Sequence, residues 1–158
     1  MIQATRPIVT ASLIALVACA RAAVPAADNP ADLTAIRNVS IAWFAAYAAG
    51  KADSMAALYT EDAILGPPGV APVHGRAAIR DYFVKDIVAS AGYVTHRAQG
   101  GSDGSSGDLA WDWNTYTVTD KSGATVDSGK YITVYAKRDG RWEISRDIWN
   151  SDTPPPSQ

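Results

Sequence analysis

Several side chains in this sequence stand where they could do chemistry. The stretch TEDAILGPPG, Thr60 to Gly69, runs two carboxylates, Glu61 and Asp62, straight into an apolar Ala-Ile-Leu. An acid against an apolar wall is one recipe for a raised pKa and a general base. The same pair can simply end a helix and start a strand, and turn and cap chemistry explains it best. His74, between a Pro-rich loop and a helical segment, reads as a general base at a cavity mouth or, more plainly, as a loop His bonded to backbone. His96, beside Arg97 on a strand, reads as exposed or interfacial. Asp112 lies between Trp111 and Trp113 and points opposite to both on a strand. Facing inward, it would pair with Arg146, because a buried Arg without a partner is costly. Arg146 is the candidate for holding an acidic ligand, with a structural salt bridge as the alternative. Trp43, Tyr47, Tyr59, Trp113, Tyr131, Thr133 and Tyr135 complete the candidate pocket as hydrogen-bonding and aromatic walls. No H-x-x-H or H-E-x-x-H spacing occurs, so neither a metal nor another cofactor is expected. There is no Ser-His-Asp order and no activated thiol.

These residues need elements to position them. Asn29-Pro30 supplies a cap and a proline at the first helical position. Leu33, Ile36, Ser40, Trp43 and Tyr47 then recur at helical spacing, and Gly50 ends the helix. Asp53 is expected to cap a shorter helix through about Tyr59, followed by a short strand at Ile64-Leu65. GPPGVAP reads as a loop, since Pro67, Pro68 and Pro72 cannot join a central ladder. A third helix is expected from Arg76 to about Ala91, stopped by Gly92. The period then switches to two, predicting strands at Tyr93–Gln99, Leu109–Thr119, Lys130–Lys137 and Arg141–Asn150, with GGSDGSSG and DKSGAT as flexible turns. Helices first and an antiparallel meander after them make an α+β fold, three helices on one face of a curved, mostly antiparallel sheet.

Asp139-Gly140 is a two-residue hairpin turn of the primed type. Counting outward, Tyr135 opposes Ile144, Thr133 opposes Arg146 and Tyr131 opposes Ile148. The face toward the helices then carries Tyr131, Thr133, Tyr135, Lys137, Trp142, Ile144, Arg146, Ile148 and Asn150. Asp147 and Trp149 fall on the other face with Ile132, Val134, Ala136, Glu143 and Ser145. A bulge would reverse this for one strand.

The chain has 158 residues, 47% hydrophobic and 19% charged, with a formal charge of −2. That suits one domain with a real core and gives no basic patch for nucleic acid. Five Trp and seven Tyr beside two Phe suit a half-wet cavity or an interface. Arg6 and the apolar run Ile8 to Ala18 read as a signal peptide, too short for the roughly 20 residues a membrane span needs. LVAC, residues 16–19, resembles the lipobox of bacterial lipoproteins, which implies a lipidated Cys19, the only cysteine. Cleavage after ARA, residues 20–22, with ordinary secretion, is the alternative. The organisation is therefore a signal peptide (1–18), a tether (19–28), one folded domain (29–150) and a Pro-rich tail (151–158). The protein is expected to be exported, touching membrane only through the lipid anchor.

IAWFAAYAAGKADSMAALYTEDAILGPPGVAPVHGRAAIRDYF resembles the opening of the nuclear transport factor 2-like superfamily, in its SnoaL-like and ketosteroid-isomerase-like branch. GDLAWDWNTYT and VYAKRDGRWEI resemble that branch's late strands. The resemblance implies a cone-shaped half-barrel with a pocket between sheet and helices, and a homodimer built on the sheet. The positions that hold the isomerase's three catalytic groups fall here on Trp43, Pro67 and Val134, so steroid isomerisation by that route is not expected. The first expectation is a non-catalytic domain binding a small, partly apolar molecule, an acidic one if Arg146 is its partner. The alternatives are an enzyme on a cyclic substrate, with His74 or an inward Asp as base, and a dimerisation module. The residues alone leave binder and enzyme both open.

Overall fold

The structure is a computed structural model that describes residues 28–154. The expected signal peptide, Cys19, the first nine residues of the tether and residues 155–158 of the tail lie outside the described residues. Helix α1 spans Pro30–Ala48, and the Asn29 side chain caps it by accepting from the Ala31 amide at 3.0 Å. Its face of Ile36 and Ser40 is buried, flanked by Trp43 and Tyr47, as the spacing predicts. Gly50 at φ 66° lets the chain leave the helix. Helix α2, Ala52–Ala56, is shorter than expected and starts without a side-chain cap. Asp53 lies inside its first turn and pairs with Arg80 at 2.5 Å. Helix α3 spans Arg76–Ala89. Among the described residues no helix is long and apolar enough to cross a membrane.

The strands are β1 (Tyr59–Gly66), β2 (Val73–His74), β3 (Val94–Arg97), β4 (Ser102–Ser106), β5 (Leu109–Thr119), β6 (Thr125–Arg138) and β7 (Arg141–Ser151). They form one sheet in the order β2-β1-β7-β6-β5-β3, with β4 also on β5. All pairs are antiparallel except β1 with β7. The three helices pack on its inner face over a core of Ile36, Met55, Tyr59, Leu65, Ile79, Phe83, Tyr135 and Ile144. Burying each of the Ile, Leu, Met and Phe side chains contributes about 1.5–3 kcal/mol.

Three expectations are corrected here. Strand β1 begins at Tyr59, so Glu61 and Asp62 lie within a strand and not in a turn or cap. The pairing of β1 with β7 is irregular between Tyr59 and Ile64, which leaves both acids on the solvent side. There Glu61 meets Arg76 at 2.5 Å and Asp62 meets Arg138 at 3.5 Å. The Gly/Ser run GGSDGSSG contains a strand, β4, because its backbone pairs with Trp113–Leu109. Its small residues serve packing: a Cβ on Gly104 would fall 2.7 Å from the Trp111 indole nitrogen.

The third correction concerns register. The Asp139-Gly140 turn has φ values of 50° and 77°, and pairing follows the expectation as far as Tyr135 with Ile144. The ladder then shifts, so that Val134 faces Arg146 and Thr133 faces Asp147. Ser145 is the extra residue of a β-bulge, and its hydroxyl donates to the Val134 carbonyl at 3.0 Å. Beyond it, Arg146 and Ile148 turn outward while Asp147 and Trp149 turn inward.

Candidate functional site

A cavity of about 180 Å³ lies between α1, α3 and the inner face of the sheet. Trp43, Phe44 and Tyr47 come from α1, and Phe83 and Asp86 from α3. The sheet adds Tyr131, Thr133 and Tyr135 from β6 and Ile144, Asp147 and Trp149 from β7. Regular alternation on β6 brings its three residues to one face, and the bulge brings the last two of β7 there.

The polar centre is Asp147, 8% exposed. Tyr59 donates its hydroxyl proton to Asp147 Oδ2 at 2.6 Å, and Thr133 donates to Oδ1 at 3.0 Å. Behind Tyr59, the Trp43 indole N–H donates to the Tyr59 oxygen at 2.8 Å. The result is a relay from indole to phenol to carboxylate. Burial raises the Asp147 pKa above the usual carboxylate range, the two hydroxyl donors oppose that rise, and the charge of Asp112 adds to it. Burial, then Asp147, likewise pushes the Tyr59 phenol well up. Burial lifts Tyr131 and Tyr47 to about 12, so both are neutral hydroxyls at ordinary pH.

A second buried carboxylate stands on the same row of the sheet. Asp112 on β5 is opposite Thr133, which is opposite Asp147. Asp112 is 1% exposed, and Arg97 Nη2 reaches both its oxygens at 3.2 Å. Tyr131 donates to it at 3.3 Å while accepting from Arg97 Nε at 2.9 Å. Two partly exposed acids also border the cavity. Asp86 accepts from Tyr47 at 2.8 Å, and Asp127 accepts from Ser151 at 2.5 Å and Thr153 at 2.8 Å.

Of the residues expected from sequence, Trp43, Tyr47, Tyr131, Thr133 and Tyr135 line the cavity. Tyr59 is fully buried behind it, in contact with Asp147. Trp113 does not belong there: alternation turns Asp112 and Asn114 inward and leaves Trp113 on the outer face, 43% exposed. Arg146 does not belong there either, because the bulge turns it out, where it donates to the Ser145 carbonyl at 2.6 Å. The partner of Asp112 is therefore Arg97, not Arg146. His74 occupies an exposed position on the edge strand β2, opposite Ile64 and outside the cavity lining. Among the described residues no group of His, Cys, Asp and Glu is arranged to hold a metal ion. Sequence reasoning missed Asp147, Asp86, Asp127, Phe44 and Trp149 as lining residues. For Asp147 and Trp149 the available signal was Ser145, a small hydroxyl residue able to satisfy the carbonyl a bulge frees.

The model of the SnoaL-like domain family matches residues 41–143. Among curated proteins nothing matches the sequence. A protein of unknown function with a cystatin-like fold from Nostoc punctiforme superposes with a TM-score of 0.74 at 15% identity, covering 83% of this chain and 98% of that one. An NTF2-like protein of unknown function from Pseudomonas putida KT2440 gives 0.72 at 18%, covering 78% and 88%. A ketosteroid isomerase-like protein from Erwinia carotovora atroseptica gives 0.66 at 19%, covering 80% and 100%. At these identities the likeness is one of fold: helices on an open, curved, mostly antiparallel sheet, as the sequence led us to expect.

Proposed function

The chain belongs to the SnoaL-like domain family, and from that premise we propose that it holds a small, mostly apolar molecule in the cavity above Asp147. The observation that carries this reading is an aromatic cavity reaching a buried carboxyl clamped by two hydroxyls. Concave, mostly apolar sites with a few convergent polar groups are the usual form of ligand pockets. The volume of about 180 Å³ is close to the roughly 150 Å³ of an engineered cavity that takes up benzene, so a single-ring body fits. Native mass spectrometry of the protein purified from its own host tests it. A retained small molecule, lost when Tyr135 is replaced by Trp to fill the cavity, is the expected result. A wild-type protein that retains nothing and takes up no single-ring compound at millimolar concentration rejects it.

A second reading, acid–base catalysis, is favoured by one observation: a buried carboxyl in the cavity wall held by hydroxyls and no cation, an environment that raises its pKa. The base would be Asp147 and not His74. Loss of turnover in Asp147→Asn with ligand affinity retained would establish it, once a substrate is in hand.

Two further parts of the proposal concern where the domain sits. Lipidation at Cys19 would tether it to the cell envelope, and mass spectrometry of the mature N-terminus decides between that anchor and plain secretion. A second copy of the chain would cover the outer face of the sheet. What supports this is an exposed apolar row in register across three strands, Trp113, Ile132 and Ile148, flanked by Trp111 at 39% exposure. Sedimentation of wild type against Trp113→Glu tests it, with a shift from dimer to monomer expected.

A further inference from the structure

The charges around the cavity have one sign. Its lining includes the carboxylates of Asp147, Asp86 and Asp127 and no Lys, Arg or His. These acids come from three different elements, β7, α3 and β6. Asp147 is the telling one, because it has hydroxyl partners but no charge partner. A carboxylate in so buried a place is costly unless it takes up a proton or a counter-charge arrives. No guanidinium supplies it: Arg97 is committed to Asp112 and to the Tyr131 oxygen, and Arg146 turns outward onto the Ser145 carbonyl. Asp86 and Asp127 are held by hydroxyls too, so nothing in the cavity wall neutralises them.

The remaining wall is mostly aromatic. Trp43 stacks on Tyr47 with ring centres 5.3 Å apart, and Tyr131, Tyr135 and Trp149 stand across from them on the sheet. The π faces of such rings carry negative potential and attract cations, Trp most strongly. An anionic ligand entering here would meet three like charges. A neutral one would leave Asp147 without a counter-ion.

We propose that the ligand of this cavity is an organic ammonium cation, its head directed to Asp147 and its apolar body held among the aromatic rings. The inference rests on the reading of the cavity as a ligand site, and it replaces an acidic ligand with a basic one. The partly exposed Asp86 and Asp127 draw the cation toward the entrance, as clefts lined by one sign of charge do.

The test is isothermal titration of the mature protein with two molecules of one shape. Benzyltrimethylammonium carries the charge, and neopentylbenzene is its neutral carbon isostere. The expected result is at least tenfold tighter binding of the cation. Asp147→Asn should cut that ratio at least threefold while changing the affinity for the isostere less than twofold. Asp127→Asn, at a partly exposed position where folding is not at risk, should lower the cation's affinity alone by about threefold at low salt. Equal binding of the two probes, or tighter binding of phenylacetate than of either, overturns the cation proposal and leaves the cavity a ligand site. Failure of all three to bind, the two ions at millimolar concentration and the hydrocarbon at saturation, overturns both.

Discussion

Asp112 and Asp147 lie on the same row of the sheet with Thr133 between them, and both are buried, yet they are held in opposite ways. Asp112 has a guanidinium across both its oxygens. Asp147 has only the hydroxyls of Tyr59 and Thr133. A charge-paired carboxylate is electrostatically complete and serves as structure. A hydroxyl-clamped carboxylate keeps an unmet demand for a proton or a cation, which is the property a binding or acid–base group needs. Burial alone does not distinguish the two acids; the sign of their neighbours does.

The contrast can be broken at its structural end first. Arg97→Ala would leave Asp112 buried without its cation, and a loss of about 3–5 kcal/mol in urea unfolding is expected. If the variant lost less than about 1 kcal/mol, the two aspartates would not differ as argued. Tyr59→Phe comes next. It removes a donor from Asp147 and the acceptor of the Trp43 indole, for an expected loss of about 1–3 kcal/mol. Thr133→Val separates the two sites more finely, because its hydroxyl serves Asp147 alone. About 1 kcal/mol is expected, with a further rise in the Asp147 pKa, read by carbonyl NMR titration.

The smallest effect at low pH belongs to Asp147→Asn, and its sign sharpens the comparison. Folding raises the Asp147 pKa, so the folded state holds the proton more tightly than the unfolded one. That contribution to stability is full below the ordinary carboxylate pKa and is lost as pH rises through the raised folded value. Asparagine does not titrate. The stability of the variant relative to wild type should therefore grow with pH between those two values, with a slope of at most about 1.4 kcal/mol per pH unit, and then level off. A relative stability independent of pH would mean that Asp147 carries no burial penalty.

Much of this architecture was legible in the residues. Asn29-Pro30 announces α1 by satisfying free amides with a side chain. Asp139-Gly140 announces the last hairpin because both positions need positive φ, and they have it. The alternation of Tyr131, Thr133 and Tyr135 places one wall of the cavity, since nothing interrupts β6 there. The centre of the site was not legible. A bulge at Ser145 changes which of Arg146 and Asp147 faces inward, and local alternation is compatible with either choice. A bulge bends its strand, so its place depends on how the strand packs in a sheet of seven and not on the segment SRDIWN alone. The strand in the Gly/Ser run was hidden for a related reason. Its propensity is poor, and its existence depends on the edge of β5 beside it.

The tryptophans are divided by the sheet. Trp43, Trp142 and Trp149 lie on its helix side, and Trp111 and Trp113 on its open side. The molecule thereby carries two intrinsic optical channels. Emission from the open-side pair should be red-shifted and quenched by iodide until another surface covers it. Buried Trp142 should ignore iodide, and the half-buried Trp43 and Trp149, which line the cavity, should respond to whatever enters it. Occupancy and association can thus be followed in one unlabelled sample, each at its own wavelength.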